Sequence, residues 1–412
     1  MVRIAPGSPL RHRDFALFWV TMLAGSFAMS MVTVAVGWQV YAVRQNPLDL
    51  GLVGLAEFLP LPLLALPAGN LADRVPRRLL YGLMISTDVV VSAGLLVVTK
   101  AGANEVWPFF VLAFVMGVGS SIGAPAGRAL TPTLVPQEIL VDALAQRSVA
   151  FQFSMVAGPA IGGLLFALRA ELVYIVAMGL SVVAFVCVLA LRGGREAAAE
   201  PEGLDDILAG VKLIRRTEVL LGAISLDLFA VLFGGAVALL PVFAKSVLHV
   251  GPAGLGLLRS APAVGSFAAS LLIARRPVRQ KAGRTLFVVV ALFGACMIVF
   301  GVSKTMWLSL VALALGGAFD LVSVVLRSTI LPLVTPDSLL GRVNAVEMVF
   351  ISASNELGAF ESGVAAALIG AVPAVVLGGV ATIAIAGIWW KLFPALARVD
   401  RLDELRPVAV ET

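Results

Sequence analysis

Charged residues are scarce in this sequence: they make up 13% of its 412 residues, whereas apolar residues make up 60%. About a quarter of the residues in a typical soluble domain are charged. A soluble fold of this length has too little interior to bury so much apolar surface. The composition therefore excludes an ordinary cytosolic enzyme, a disordered chain and a secreted scaffold, and it indicates an integral membrane protein.

Cysteine and histidine are rarer still. The two cysteines, Cys187 and Cys296, lie in separate apolar runs, so we predict buried thiols and no disulfide framework. The two histidines, His12 and His249, cannot form a metal site alone. The sequence also lacks the Gly-x-x-x-x-Gly-Lys-Ser/Thr pattern of a phosphate-binding loop. We therefore expect no metal, no cofactor and no ATP-driven step.

Apolar runs long enough to cross a membrane recur along the whole chain. A hydrocarbon core of about 30 Å needs about 20 apolar residues per helix. We identify twelve such runs and predict an all-α membrane protein with twelve transmembrane helices in two six-helix bundles. The predicted spans are 15–43, 50–72, 78–99, 106–127, 148–168, 172–191, 219–244, 253–274, 285–302, 306–326, 343–367 and 371–391.

Lysine and arginine lie mainly on one side of these spans. With the N-terminus in the cytoplasm, few of the 30 Lys and Arg residues fall elsewhere. The exceptions are Arg44, Lys100, Arg169, Lys245 and Lys304 outside the membrane and Arg259 within a span. This positive-inside signal predicts that both termini are cytoplasmic. Topology then explains the net charge of +5, so we expect a lipid bilayer and no nucleic acid as a partner.

The chain divides into two similar halves. Arg128 precedes a Pro132–Pro136 segment, and Arg327 precedes a Pro332–Pro336 segment. A parallel duplication of six-helix units is typical of transporters, with a substrate path between the units. Apolar residues at helical spacing between the halves predict an amphipathic helix on the membrane surface. The predicted organisation is a bundle over 1–191, a linker over 192–218, a bundle over 219–392 and a cytoplasmic tail over 393–412.

The loop between spans two and three has a recognisable pattern. Its residues are Gly69, Leu71, Asp73, Arg74, Arg77 and Arg78. The loop resembles the G-x-L-x-D-R-x-x-R-R signature of the major facilitator superfamily. The resemblance implies that the loop holds the cytoplasmic gate closed in the outward-facing state. The alternative is that its arginines serve only as positive-inside anchors.

Span five contains the segment Gly158, Pro159, Gly162 and Gly163. It resembles the antiporter motif of proton-driven exporters in the superfamily, although such spacing can also mean only close helix packing. The motifs from Leu10 to Val343 follow the order of the enterobactin-exporter-like branch, also called transmembrane secretion effectors. The resemblance implies the major facilitator fold but leaves the cargo open, because members of one branch carry different molecules.

Ionisable side chains within the spans are candidates for the proton or substrate site. At mid-bilayer each costs about 2.5–3.5 kcal/mol, so such side chains normally face a cavity or a partner. Because acids outnumber bases here, several acids must be protonated or solvated by water. The candidates are Glu57, Asp88, Asp227, Arg259, Asp320, Glu347, Glu356 and Glu361, together with Asn355 and Arg327.

Three of these assignments are specific. We predict a transport role for Glu356 and a gate role for Glu361; an interhelical hydrogen bond is the alternative for Glu356. Asp320 and Arg327, which share one face of span ten, are predicted to form a structural pair or a gate contact. Arg259 either neutralises an acid or binds an anionic group of the cargo.

These features predict a proton-coupled exporter of a small amphipathic molecule, such as a siderophore or a drug, in a bacterial inner membrane. We expect a monomer that uses the proton motive force and alternating access. An importer or facilitator is the first alternative. A membrane-embedded enzyme or receptor is the second. Gly119–Gly123 fits the Gly-x-Ser-x-Gly pattern of hydrolases, but it lies within a span without a histidine to act as base.

Overall fold

The computed structural model describes residues 8–64, 75–193, 204–276 and 280–407. The described residues fall into two compact units. Unit 1 comprises Met1–Pro201 and Val250–Ser260, and unit 2 comprises Glu202–His249 and Ala261–Thr412. Helices are the dominant element of both units.

The described part of unit 1 is built from the long helices of the first half. They are α1 (Arg13–Arg44), α2 (Pro47–Phe58), α3 (Arg77–Lys100), α4 (Trp107–Leu134), α5 (Leu140–Leu168) and α6 (Ala170–Leu189). Helix α2 begins at Pro47 because Asn46 accepts a hydrogen bond from the Leu48 N–H at 3.1 Å. Proline suits this first position because it has no N–H to leave unsatisfied.

Unit 2 begins with the linker helix and contains the long helices of the second half. Its helices are α7 (Leu204–Arg216), α8 (Glu218–Phe233), α9 (Gly251–Arg275), α10 (Ala282–Val302), α11 (Met306–Val334), α12 (Asp337–Ile369) and α13 (Ala371–Leu392). Helix α9 is divided, because its residues up to Ser260 belong to unit 1. After α8 the chain continues through short helical turns to Val247.

Eleven of the described helical segments are long and apolar enough to cross a membrane. They match the predicted spans except 343–367, although part of the predicted span 50–72 lies outside the described residues. Helix α12 covers 343–367 and is 33 residues long, but Asn355, Glu356 and Glu361 make it too polar for that set. The predicted all-α membrane class is confirmed.

Glycines let α4 approach α3 closely. A Cβ atom at Gly119 would lie 1.9 Å from the Thr87 hydroxyl, and one at Gly123 would lie 2.4 Å from the Met84 Cβ. At Gly127 it would lie 2.7 Å from the Tyr81 ring. Small residues four apart permit such helix contact within a membrane. The hydrolase-like Gly119–Gly123 segment is therefore part of a helix interface.

Helix α7 forms where an amphipathic helix was predicted, but its described apolar residues contact protein. Ile214 is 4% exposed and belongs to the hydrophobic core of unit 2. A Cβ atom at Gly210 would lie 2.9 Å from the backbone oxygen of Arg342 on α12. Part of the apolar side of this helix is therefore covered by unit 2, and its position at the membrane surface stays a prediction.

The segment after α13 also packs on unit 2, although it was predicted as a tail. Leu396 is fully buried, and Val399 is nearly so. The Asp400 side chain accepts a hydrogen bond from the Lys281 N–H at 2.9 Å, just before α10. Glu218, at the start of α8, accepts one from the Ala395 N–H at 3.0 Å. This segment therefore joins the starts of two helices.

Candidate functional site

A buried ion pair lies inside unit 2. Arg327 of α11 donates to Asp227 of α8 with a 2.6 Å distance between the guanidinium nitrogen and the carboxylate oxygen. Arg327 is 5% exposed and Asp227 is 8% exposed. A buried pair of this kind must satisfy both charges locally, because each is costly without its partner. The Arg327 Nε also contacts the Ser323 hydroxyl at 3.4 Å.

This pair corrects the predicted pairing of Arg327 with Asp320. Seven residues along a helix correspond to a rise of about 10 Å, which separates Asp320 from the Arg327 guanidinium. Asp227 comes from a neighbouring helix and reaches the guanidinium directly. The Asp320 carboxyl remains within electrostatic range of both Asp227 and Arg327.

Two carboxyl groups in unit 2 lack an ion-pair partner among the described residues. Glu347 of α12 is half-buried and lies within electrostatic range of Arg327 and Asp227. Asp320 is on the accessible side of α11. Three carboxyl groups therefore lie within electrostatic range of one guanidinium, and Asp227 already neutralises it. We call Asp227, Asp320, Arg327 and Glu347 the acid cluster.

A small cleft lies beside the acid cluster. One part of its wall is polar, and the other part is apolar. It is lined by Ile224, Asp227, Leu228, Arg327, Glu347, Phe350, Ile351 and Ser354. The Ser354 hydroxyl donates to the backbone oxygen of Phe350 at 2.6 Å, which leaves its lone pairs available to a second donor.

The other polar residues of α12 lie further along the same helix. Asn355 is exposed and donates to the backbone oxygen of Ile351 at 2.9 Å. Glu356 is half-buried. Glu361 is also half-buried, beside the buried Ser362. A Cβ atom at Gly235, just after α8 ends, would lie 2.8 Å from the Ser362 hydroxyl. Helix α12 therefore packs closely against the chain between α8 and the short helical turns that follow it.

The ionisable candidates of unit 1 lie on three helices. Asp88 of α3 is 6% exposed, and no described residue forms a hydrogen bond or an ion pair with it. Glu57 is half-buried at the end of α2. Helix α4 approaches α2 closely here, because Gly117 lies against the backbone oxygen of Glu57. Arg259 is half-buried on the part of α9 that belongs to unit 1.

The predicted gate loop is described only in part. Gly69, Asp73 and Arg74 lie outside the described residues. Arg77 donates to the backbone oxygen of Ala129 near the end of α4 at 3.3 Å, and Arg78 donates to that of Leu191 just after α6. Cations are favourable near helix C-termini because the carbonyl groups there carry partial negative charge. In this structure both arginines join helix ends within unit 1.

The antiporter-like segment of α5 is a contact surface. Gly158 and Gly162 face α1, where a Cβ atom would lie 2.6 Å from the Ser30 Cβ and 2.8 Å from the Met31 Cα respectively. Gly163 faces α9, where a Cβ atom would lie 2.5 Å from the Pro252 backbone oxygen. Pro159 is buried between them, and its carbonyl also meets α9, at Gly256. The segment thus brings α5 close to two helices.

A buried polar network at the other end of unit 1 was not among the predicted sites. The Gln39 amide of α1 donates to the Thr99 hydroxyl of α3 at 3.0 Å, and the Tyr174 hydroxyl of α6 donates to Gln39. The three side chains connect three helices near their ends. A glutamine within an apolar run was the only sequence signal available.

Comparisons with known proteins agree on the family. A family model described as transmembrane secretion effector matches residues 4–407. Macrolide efflux protein A of Streptococcus pyogenes is 24% identical over 278 residues, which cover 64% of this chain and 67% of the relative. Enterobactin exporter EntS of Escherichia coli O1:K1 / APEC is 26% identical over 348 residues, which cover 81% of each protein.

Solved structures show the same fold at low sequence identity. Nucleoside transporter NupG has a TM-score of 0.66 at 13% identity, covering 92% of this chain and 99% of that one. A bacterial homologue of the iron transporter ferroportin, in an inward-facing state, has a TM-score of 0.67 at 16% identity and covers 94% and 99%. These likenesses confirm the predicted major facilitator fold.

Proposed function

Because the chain belongs to the transmembrane secretion effector family and is a secondary transporter that exports small molecules, we propose that protons drive it through the acid cluster of unit 2. Asp227 neutralises Arg327 at 2.6 Å, and no described cation remains for Glu347 and Asp320. Each of these two carboxylates lies within electrostatic range of Asp227, which repels it. Binding of protons relieves that repulsion.

The cluster links proton binding to helix arrangement. Its members come from α8, α11 and α12, so a change in charge alters the attraction among three helices. Protons bind from the outer side, where they are driven inward, and are released to the cytoplasm as cargo moves out. Each elementary charge that crosses the membrane field contributes about 2.3 kcal/mol per 100 mV. No cofactor takes part in this cycle.

The cargo that we propose is a small amphipathic molecule, such as a drug or a siderophore. Related proteins are named for macrolides and for enterobactin. We place the protein in a bacterial inner membrane, as a monomer with both termini in the cytoplasm. A cysteine in place of Lys100, in a variant without Cys187 and Cys296, should then react with an impermeant thiol reagent on intact cells; protection there would contradict this orientation.

Transport into inside-out vesicles tests the proton coupling. Radiolabelled erythromycin and enterobactin serve as probes, and the vesicle lumen is made acidic or neutral. We expect at least one probe to accumulate only when the lumen is acidic. Glu347→Gln, which keeps shape but removes a titrating group, should reduce this accumulation at least tenfold. Asn344→Ala, at an exposed position of α12 outside the candidate residues, is the matched control and should transport normally.

Two outcomes would contradict the proposal. Accumulation that is the same with neutral and acidic lumens would mean that protons do not drive export. Full activity of both Glu347→Gln and Asp320→Asn would exclude the acid cluster as the coupling site. Efflux of a preloaded probe from the vesicle lumen, with no accumulation, would support the importer alternative.

A further inference from the structure

Three arginines of unit 1 lie at the last turns of α4, and none of them forms an ion pair with a described residue. Arg147 of α5 donates to the backbone oxygen of Arg128 at 3.3 Å and to the Thr131 hydroxyl at 3.2 Å. Arg77 of α3 donates to the backbone oxygen of Ala129 at 3.3 Å. These two backbone oxygens belong to consecutive residues, so both guanidinium groups reach the same turn of α4. We call Arg77, Arg128 and Arg147 the arginine cluster.

A proline inside α4 explains part of this arrangement. Pro132 has no N–H, so the carbonyl of Arg128, four residues earlier, loses its donor within the helix. Arg147 supplies that donor through Nη1, which also makes its hydrogen bond to Thr131. The Nε and Nη2 groups of Arg147 form no hydrogen bond with a described residue. The backbone contact therefore uses only one end of the guanidinium group.

Two further donors beside Arg147 are buried without an acceptor. The Arg77 Nε atom is buried and forms no hydrogen bond. Tyr81, one turn along α3, is 5% exposed, and no described residue forms a hydrogen bond with its hydroxyl. Its ring lies against Gly127 of α4, and the residue is within electrostatic range of Arg147. Since buried polar groups are nearly always hydrogen-bonded, these donors indicate an acceptor that the described chain does not supply.

The charges at the arginine cluster have one sign. Arg128 and Arg147 lie within electrostatic range of each other and repel. Asp88, two turns deeper on α3, is within range of Tyr81 but does not act on either arginine. Arg128 is also exposed, so a ligand can reach the cluster from outside the bundle. A bound anion would reduce the repulsion and accept hydrogen bonds from the buried donors.

The donors match a phosphate group. They come from α3, α4 and α5, and phosphate presents more acceptor oxygens than a carboxylate does. Guanidinium groups bind phosphate through parallel N–H donors. Basic pockets between membrane helices bind anionic lipid headgroups on the cytoplasmic side, where the proposed orientation places this end of unit 1. Phe151, one turn from Arg147 toward the membrane, is 50% exposed, so an apolar surface continues from the cluster.

We propose that the arginine cluster and Tyr81 bind the phosphate group of an anionic phospholipid. The phosphate joins the ends of α3, α4 and α5, and an acyl chain follows the exposed apolar side of α5. The site lies in unit 1, apart from the acid cluster of unit 2, and it does not depend on proton-coupled export. Inorganic phosphate offers the same kind of oxygen atoms without acyl chains, so the experiments below separate these two sources.

Native mass spectrometry of the full-length protein in detergent measures the lipid that stays bound. The probe is dioleoylphosphatidylglycerol, and dioleoylglycerol, which has the same acyl chains but no phosphate, is the control lipid. We expect the wild-type protein to bind only the phosphatidylglycerol tightly. Tyr81→Phe keeps the ring against Gly127 and removes only the hydroxyl, so it should weaken this binding about tenfold. Arg147→Gln should weaken it further.

Arg276→Gln is the matched control, since Arg276 is an exposed arginine just after α9, on the same side of the membrane in the proposed orientation. It should leave the affinity for phosphatidylglycerol unchanged. Equal weakening by Arg276→Gln and Arg147→Gln would mean general attraction of lipid to positive charge and would overturn the proposal. Wild-type affinity in both Tyr81→Phe and Arg147→Gln would also overturn it. If Arg147→Gln folds poorly, Tyr81→Phe alone decides.

Thermal unfolding of the delipidated protein distinguishes the lipid from free phosphate. Phosphatidylglycerol should raise the unfolding temperature of the wild type, whereas millimolar inorganic phosphate should not. Tyr81→Phe should lose most of that rise and keep the wild-type unfolding temperature without lipid. A rise with inorganic phosphate that Tyr81→Phe abolishes would overturn the lipid as the occupant and leave a phosphate site. Equal rises with lipid in the wild type and Tyr81→Phe would contradict the site itself.

Discussion

Units 1 and 2 share a scaffold but differ in their charges. In each unit a carboxylate at the start of the first membrane-spanning helix accepts hydrogen bonds from the backbone after the last one. Asp14 accepts hydrogen bonds from the N–H groups of Arg192 at 3.2 Å and Gly193 at 2.7 Å. Glu218 accepts one from Ala395 at 3.0 Å. We call these hydrogen bonds tethers. Each joins the start of a bundle to its end, so the two halves share this feature.

The charges at corresponding positions have diverged. Arg128 and Arg327 occupy corresponding positions in the two halves. Arg128 is exposed, whereas Arg327 is 5% exposed and paired with Asp227. In the next long helix, unit 1 has Arg147 where unit 2 has Glu347. Unit 2 therefore concentrates acids around a buried cation, whereas the two buried acids in the described part of unit 1, Asp49 and Asp88, lie on different helices. Duplication preserved the helices and left the electrostatics free to specialise.

The largest expected effect separates the two arginines. Arg327→Met leaves Asp227 buried without its cation, which should lower the free energy of unfolding by about 3–5 kcal/mol. Arg128→Met removes an exposed side chain and should cost less than about 0.5 kcal/mol. Thermal unfolding of the purified variants in detergent measures the difference. Equal losses would mean that the ion pair does not distinguish unit 2 from unit 1.

An intermediate effect is expected at the glycines of unit 1. Gly163→Ala places a Cβ atom 2.5 Å from the Pro252 backbone oxygen, so α5 and α9 must separate. Overpacking of this kind costs about 1–3 kcal/mol. Gly179→Ala on α6 meets nothing within 4 Å and is the matched control. Transport and thermal stability should fall only for Gly163→Ala; a harmless Gly163→Ala would show that the close approach is dispensable.

The smallest effect should be common to both units. Asp14→Asn and Glu218→Gln each weaken hydrogen bonds that close a bundle, and substitutions of this kind cost about 0.5–2 kcal/mol. Asp14 accepts from two N–H groups and Glu218 from one, so Asp14→Asn should be the more destabilising. Thermal unfolding would test the order. A reversed order would show that the number of accepted hydrogen bonds does not set the loss of stability.

The transport candidates illustrate how far the amino-acid pattern can lead. It identified Asp227, Arg327 and Glu347 as functional candidates, because ionisable residues within apolar runs are costly. It paired Arg327 with Asp320, since both lie on one helix face, and it ranked Glu356 first. The pairing was wrong because a helix neighbour two turns away is further than a side chain from an adjacent helix. The role of Glu356 stays a prediction.

The linker and the tail show the same limit. Their apolar residues were visible in the sequence, but the surface that covers them was not. Ile214 of the predicted membrane-surface helix and Leu396 of the predicted cytoplasmic tail are buried on unit 2. An apolar helix face is satisfied by lipid or by protein, and sequence periodicity is identical in the two cases.

The amino-acid sequence alone determined the membrane location, the helical class, the near-complete set of spans and the family. Each depends on local composition, helical length or a contiguous motif. Only the tertiary structure decided that Asp227 meets Arg327 and that Glu347 lines the cleft beside them. Those contacts depend on which helix lies beside which and in what register, and distant residues of a repeated apolar chain do not encode that in any local pattern.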